Sequence, residues 1–245
     1  MTRQRAVRVL GVVTGVALAA TVYMALVVTP ADVNQRDAVR LLYIHVPTAW
    51  LALYLSFGVT TIASALYLWP RTRSRAWDLV AGASAEIGVL FLGLTLVVGS
   101  IWGRTTWGVW WTWDARLTTT AVAFVLFVGY LALRRVPADP DVRARRAAIA
   151  ALAAFVDVPI VHLSVEWWRT LHQTSSFLDA ETFRHPRIHG LMWWTAIVAL
   201  VSFTLLYAWL LVRRYRLARA EARGDDIALE RAIEERRAEA QPVLT

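Results

Sequence analysis

The sequence predicts an all-α, polytopic membrane protein with six transmembrane helices and both termini cytoplasmic. Three observations carry that expectation. Hydrophobic residues make up 58% of 245 positions and the mean hydropathy is +0.47, which leaves no room for a large soluble domain. The apolar residues gather into six runs, each near the ~20 residues that cross a bilayer. The 26 basic residues flank those runs unevenly, and every one is arginine. Eleven lie before the first run and after the second and fourth, seven lie after the first, third and fifth, and eight follow the sixth. The positive-inside rule puts the richer side in the cytoplasm.

The first run, Val9 to Val28, follows Arg3, Arg5 and Arg8; it is long for a signal peptide and reads as a retained helix. Thr29 to Arg40 is a polar loop. The second run opens at Leu41 and ends at Trp69-Pro70, with Pro47 tolerated near its start because early helical N–H groups lack partners. A third helix is expected from about Asp78 to Ile101 and a fourth from Asp114-Ala115-Arg116 to Arg134-Arg135. Val136 to Arg146 reads as a loop, Ala147 to Val165 as the fifth helix, and Glu166 to Arg187 as a polar loop. The sixth helix covers His189 to Val212. Residues 1–212 thus form the membrane domain, and 213–245 a charged, solvated cytoplasmic tail.

Several function classes fall away on composition. Without lysine there is no G-x-x-x-x-G-K phosphate loop and no Schiff base, which argues against ATP hydrolysis in this chain. Without cysteine there is no disulfide, thiolate ligand or C-x-x-C-H haem attachment. The arginines border apolar runs and form no basic stripe, so nucleic acid is not an expected partner. Lipid is.

Five of the thirteen tryptophans fall between Ile101 and Asp114. If residues 107–114 are helical, Trp107, Trp110, Trp111 and Asp114 share one face, making an aromatic shelf that ends in a carboxylate. An interfacial aromatic belt is the competing reading. His45 and His172 stand in aromatic-rich segments on the same expected side of the membrane. A flat iron macrocycle needs aromatic surface, cations for its carboxylates and axial nitrogens from opposite sides. Trp107, Trp110 and Trp111 answer the first need, Arg104, Arg116 or Arg169 the second, and His45 and His172 the third.

Three motifs then point to one family. Trp102-Gly103-x-x-x-Trp107-Gly108-x-Trp110-Trp111-x-Trp113-Asp114-Ala115-Arg116-Leu117 resembles the tryptophan-rich signature of haem-handling proteins of cytochrome c maturation. Tyr43-Ile44-His45-Val46-Pro47-x-Ala49-Trp50 and Trp167-Trp168-x-Thr170-Leu171-His172-Gln173 resemble the two histidine segments of its short, six-helix branch, the haem exporter protein C family of system I. The resemblance covers nearly the whole chain. It implies that His45 and His172 are axial ligands of haem b, held non-covalently in transit. It further implies that Trp102, Trp107, Trp110, Trp111, Trp113, Asp114 and Arg116 cradle the porphyrin at the periplasmic face of the inner membrane. The implied partners are permease and ATPase subunits of an ABC transporter, a small accessory membrane protein and a periplasmic haem chaperone. The chain is expected to bind and transfer haem as a subunit, without catalytic residues of its own.

A rival reading is a proton-coupled secondary transporter using the intramembrane carboxyls Glu86 and Asp157 with His162. It lacks an internal repeat or paired Gly/Pro-broken helices. Protonation, hydrogen bonding within the bundle or a facing subunit accounts for Glu86 and Asp157, a bundle partner for His162, and interfacial positioning for His185 and His189.

Overall fold

The computed structural model describes residues 2–173 and 188–240. His185 lies outside them. Among the described residues the fold is helical, with six spans long and apolar enough to cross a membrane. The first is α1 (Thr2–Tyr23), prolonged by a π-helical turn over Met24–Val28. The second begins with a 3-10 turn (Asp37–Leu41) and comprises α2 (Leu42–Ala49), a π-helical stretch (Trp50–Ser56) and α3 (Phe57–Leu68). Then come α4 (Arg75–Trp107), α5 (Ala115–Leu133), the pair α6 (Pro140–Phe155) and α7 (Asp157–Trp167), and α8 (Gly190–Ala240).

The second span is not the uninterrupted helix its hydropathy suggests. Pro47 has no N–H to return to the preceding turn, and the ladder is recovered through the wider π-helical stretch that follows. That stretch turns Trp50 and Tyr54 toward the same side, their rings 5.5 Å apart. α3 and α4 pack closely beside it. A Cβ on Gly88 would stand 2.4 Å from the Phe57 ring and 2.6 Å from Ser56 Oγ, so only glycine admits this approach. Ser56 donates to the Ser84 carbonyl, Ser84 Oγ donates to the Ser56 carbonyl at 2.7 Å, and Ser84 Oγ meets Tyr207 Oη at 2.8 Å. These bonds join α4 to its neighbours where lipid offers polar groups no partner. Phe57, Phe91, Leu92, Phe127 and Val161 fill the core around them.

Three helices run longer than expected. α6 starts at Pro140 rather than Ala147, because Asp139 Oδ1 accepts from the Asp141 and Val142 N–H groups and Pro140 occupies the first turn. α8 continues through the charged tail to Ala240, and Asp226 there accepts from Arg75 at 2.7 Å. α4 runs to Trp107 rather than stopping at Ile101. Glu86, within the α4 span, accepts from Nε and Nη2 of Arg214 on α8. Asp157 sits buried where α6 breaks into α7, and its Oδ2 has no hydrogen-bond partner.

Candidate haem-binding cavity

Gly108 decides how the tryptophan segment is arranged. It ends α4 with φ +78, a left-handed conformation that glycine adopts without strain, and residues 109–114 leave it non-helical. The expected helical face of Trp107, Trp110, Trp111 and Asp114 is therefore not formed. Trp102 and Trp107 belong to the last turns of α4, whereas Trp110, Trp111 and Trp113 lie on the extended segment. Ser100 Oγ holds that segment by donating to the Trp110 carbonyl at 2.6 Å. Trp110 and Trp113 are 59% and 80% exposed, and Trp111 packs edge-on against Trp113.

Beneath them a cavity of about 570 Å³ runs into the bundle, within the usual range for small-molecule sites. His45, Trp102, Trp107, Arg116 and His172 line it. Trp110, Trp111, Trp113 and Asp114 are not among the described lining residues, nor are Arg104, Arg169 and His189. Arg104 instead donates to the Gly108 carbonyl, reinforcing the helix end. Glu86 and Asp157 are likewise outside the lining, which separates the carboxyls of the transporter reading from His162 on the cavity wall.

The two histidines come from different scaffolds. His45 stands on α2, where its Nδ1 is 3.2 Å from the Thr95 carbonyl of α4. A carbonyl only accepts, so Nδ1 carries the proton and the lone pair lies on Nε2. Gly99 makes the room: a Cβ there would come within 2.7 Å of His45 Cε1. His172 follows the end of α7. Its Nδ1 donates to the Gln173 carbonyl at 3.0 Å, which again leaves the lone pair on Nε2. Burial holds its imidazole below the ordinary value, so it is neutral near pH 7. The two ring centroids are 6.4 Å apart with 36° between their planes. Trp102 meets His45 edge-on at 5.7 Å, and Trp107 meets His172 at 6.2 Å.

Asp114 does more than end an aromatic run. Its Oδ1 caps α5 by accepting from Leu117 N at 2.9 Å. Its Oδ2 accepts from Thr170 Oγ1 at 2.7 Å and Leu171 N at 3.2 Å, while Thr170 Oγ1 accepts from His172 N at 3.1 Å. One carboxylate thus fastens the histidine turn to a transmembrane helix. Arg116 lies two residues on. Its Nη1 donates to the Val161 carbonyl at 2.7 Å, and its Nε is buried without a partner.

Sequence reasoning missed Gly99, Thr95, Thr170 and Gln35. Gln35, in the loop after α1, accepts from Trp102 Nε1 at 2.8 Å and is itself set by Asp32, whose Oδ1 accepts from Asn34 N and Gln35 N. No local pattern gives these residues their roles, although Thr170 stands in the second histidine motif. Their roles arise from partners about 50 or more positions away for Thr95, Thr170 and Gln35, and from close packing for Gly99.

The family model described as heme exporter protein C matches residues 1–230. The chain belongs to that family. It is 38% identical over 204 residues to heme exporter protein C of Haemophilus influenzae, covering 82% of this chain and 80% of the relative. The corresponding Escherichia coli K12 protein is 37% identical over 189 residues, covering 76% of this chain and 73% of that one. A mitochondrial protein of Marchantia polymorpha, named for cytochrome c biosynthesis, is 36% identical over 167 residues, 68% of this chain and 69% of its own. A heme exporter protein C family member is a multi-pass membrane protein here, with its two matched histidine segments meeting at one cavity.

Proposed function

We propose that the chain holds haem b non-covalently between His45 and His172 at the periplasmic face of the inner membrane and presents it to a periplasmic haem chaperone for cytochrome c maturation. It does so as a subunit of an ABC-type complex, beside permease and ATPase subunits and a small accessory membrane protein. The observation that carries this reading is the histidine pair. An iron with an imidazole nitrogen about 2 Å away on either side sets the ring centroids roughly 6 Å apart, close to the 6.4 Å found. Both Nδ1 atoms are tied to backbone carbonyls, the outer-shell arrangement that orients a metal-binding imidazole. A bare metal ion is a poorer match: among the described residues no group of three or more His, Cys, Asp or Glu could hold one. A porphyrin supplies four nitrogens and asks the protein for two.

Trp102 and Trp107 brace the ligands, and Arg116 supplies positive charge to the cavity. Trp110 and Trp113, exposed around the mouth, suit contact with a partner or headgroups instead of the macrocycle's face. The test is the visible spectrum of purified protein, oxidised and reduced, for wild type and His45→Ala/His172→Ala. The expected result is a bis-imidazole Soret band that the double variant loses while remaining inserted. Normal haem occupancy in the double variant would overturn the ligand assignment.

A further inference from the structure

Besides the two histidines, the cavity wall carries a polar pair without a role so far. Tyr54, on the π-helical stretch nine positions beyond His45, lines the wall, as does His162 on α7. Tyr54 Oη and His162 Nδ1 are 2.7 Å apart, and the rings meet edge-on at 5.9 Å. Arg116 reaches the same place, since the carbonyl it binds belongs to Val161, the residue before His162. Helical side chains lean toward the N-terminus, which brings Tyr54 back toward the level of His45. Around the cluster the lining is apolar, with Leu53, Leu117 and Leu205.

We propose that Arg116, Tyr54 and His162 bind one carboxylate of the ligand, so that the macrocycle stands edge-on with one propionate directed into the bundle. This rests on the haem reading above. Three features of the lining support it. Arg116 is the one arginine among the described lining residues, which include no aspartate or glutamate, so positive charge predominates on this wall. The buried Nε of Arg116 is a donor awaiting an acceptor, a costly state unless a ligand relieves it. When His162 Nδ1 donates to the phenol oxygen, Tyr54 O–H is left as a second donor beside Arg116. An apolar wall strengthens each charge-assisted bond to the carboxylate. With a single arginine for two propionates, the second faces the open mouth.

The experiment titrates purified full-length protein with haem and with haem dimethyl ester, following the Soret band. Wild type is expected to prefer the free acid by about tenfold or more, the scale of one or two bonds to a buried charge. Tyr54→Phe and His162→Leu should each reduce that preference severalfold, leaving ester affinity and the bis-imidazole spectrum unchanged, and His162→Asn should restore part of it. An undiminished preference in Tyr54→Phe, which deletes a single oxygen, or no preference in wild type, overturns the carboxylate site while the histidine ligands stand. A wild type that takes up neither compound overturns both.

Discussion

His45 and His172, the two ligands proposed for haem, stand on opposite kinds of support. His45 belongs to a transmembrane helix, its ring wedged against a glycine and tied to the carbonyl of a second helix. His172 belongs to a turn after α7, held by a hydroxyl and a carboxylate borrowed from the start of α5. The first is fixed by packing and by one hydrogen bond between two transmembrane helices. The second is fixed by three hydrogen bonds that can be released and remade. A carrier that must grip a macrocycle and give it up benefits from that asymmetry, with one ligand as wall and the other as clasp.

The strongest way to break the comparison is at the wall. Gly99→Ala puts a Cβ where the His45 ring lies, and neither the ring nor the two packed helices can yield cheaply. Haem occupancy is expected to fall more than tenfold, as read by Soret absorbance per protein, with no further loss when Gly99→Ala is added to His45→Ala. Next comes the clasp. Asp114→Ala removes the α5 cap, worth about 1 kcal/mol, and frees the Thr170–His172 turn. Occupancy should fall severalfold and recover on adding imidazole, and the change should vanish in a His172→Ala background. Thr170→Val removes only the bridging hydroxyl and should give a smaller loss of the same kind.

The aromatic segment sharpens the contrast further. Trp107→Leu, beside His172 and in the cavity wall, should accelerate haem loss severalfold in transfer to apomyoglobin. Trp113→Leu should leave that rate unchanged, since its ring stands in the open beyond Gly108. The smallest effect is at the loop that carries Gln35 to Trp102. Backbone N–H groups of Gln35 and Asn34 hold the Asp32 carboxyl below its ordinary value of 3.8. A carboxyl depressed by folding stabilises the turn above its ordinary value and ceases to do so as pH falls through the depressed one. Amide exchange at Asn34 and Gln35 should therefore stay protected through mildly acid pH and rise only below that value.

Much of this architecture was legible in advance because its cause is local. Twenty-residue apolar runs must be helices in lipid, where every backbone group needs an internal partner. The helix ends were less legible. Asp139-Pro140 starts α6 by a cap that hydropathy does not weigh, and Gly108 stops a helix that tryptophan spacing would have continued. The misplaced shelf follows from that glycine. A periodicity argument assumes helical φ throughout, and one positive φ sends Trp110, Trp111 and Trp113 out of the cavity while Trp102 and Trp107 stay in it.

By itself the sequence determined the solvent this protein lives in, the number of its spans, the family to which it belongs and the pair of histidines worth pairing. Each is a property of composition or of short contiguous motifs, and short motifs survive without knowledge of what packs on them. Only the tertiary structure decided that the two histidines stand 6.4 Å apart, that Thr95 and Gln173 set their tautomers, that Asp114 is a clasp, and that Tyr54 and His162 share a wall with Arg116. Those relations join residues far apart in the chain or turn on a single backbone angle. They come into being only when close packing in a bilayer brings buried donors and acceptors of distant segments together.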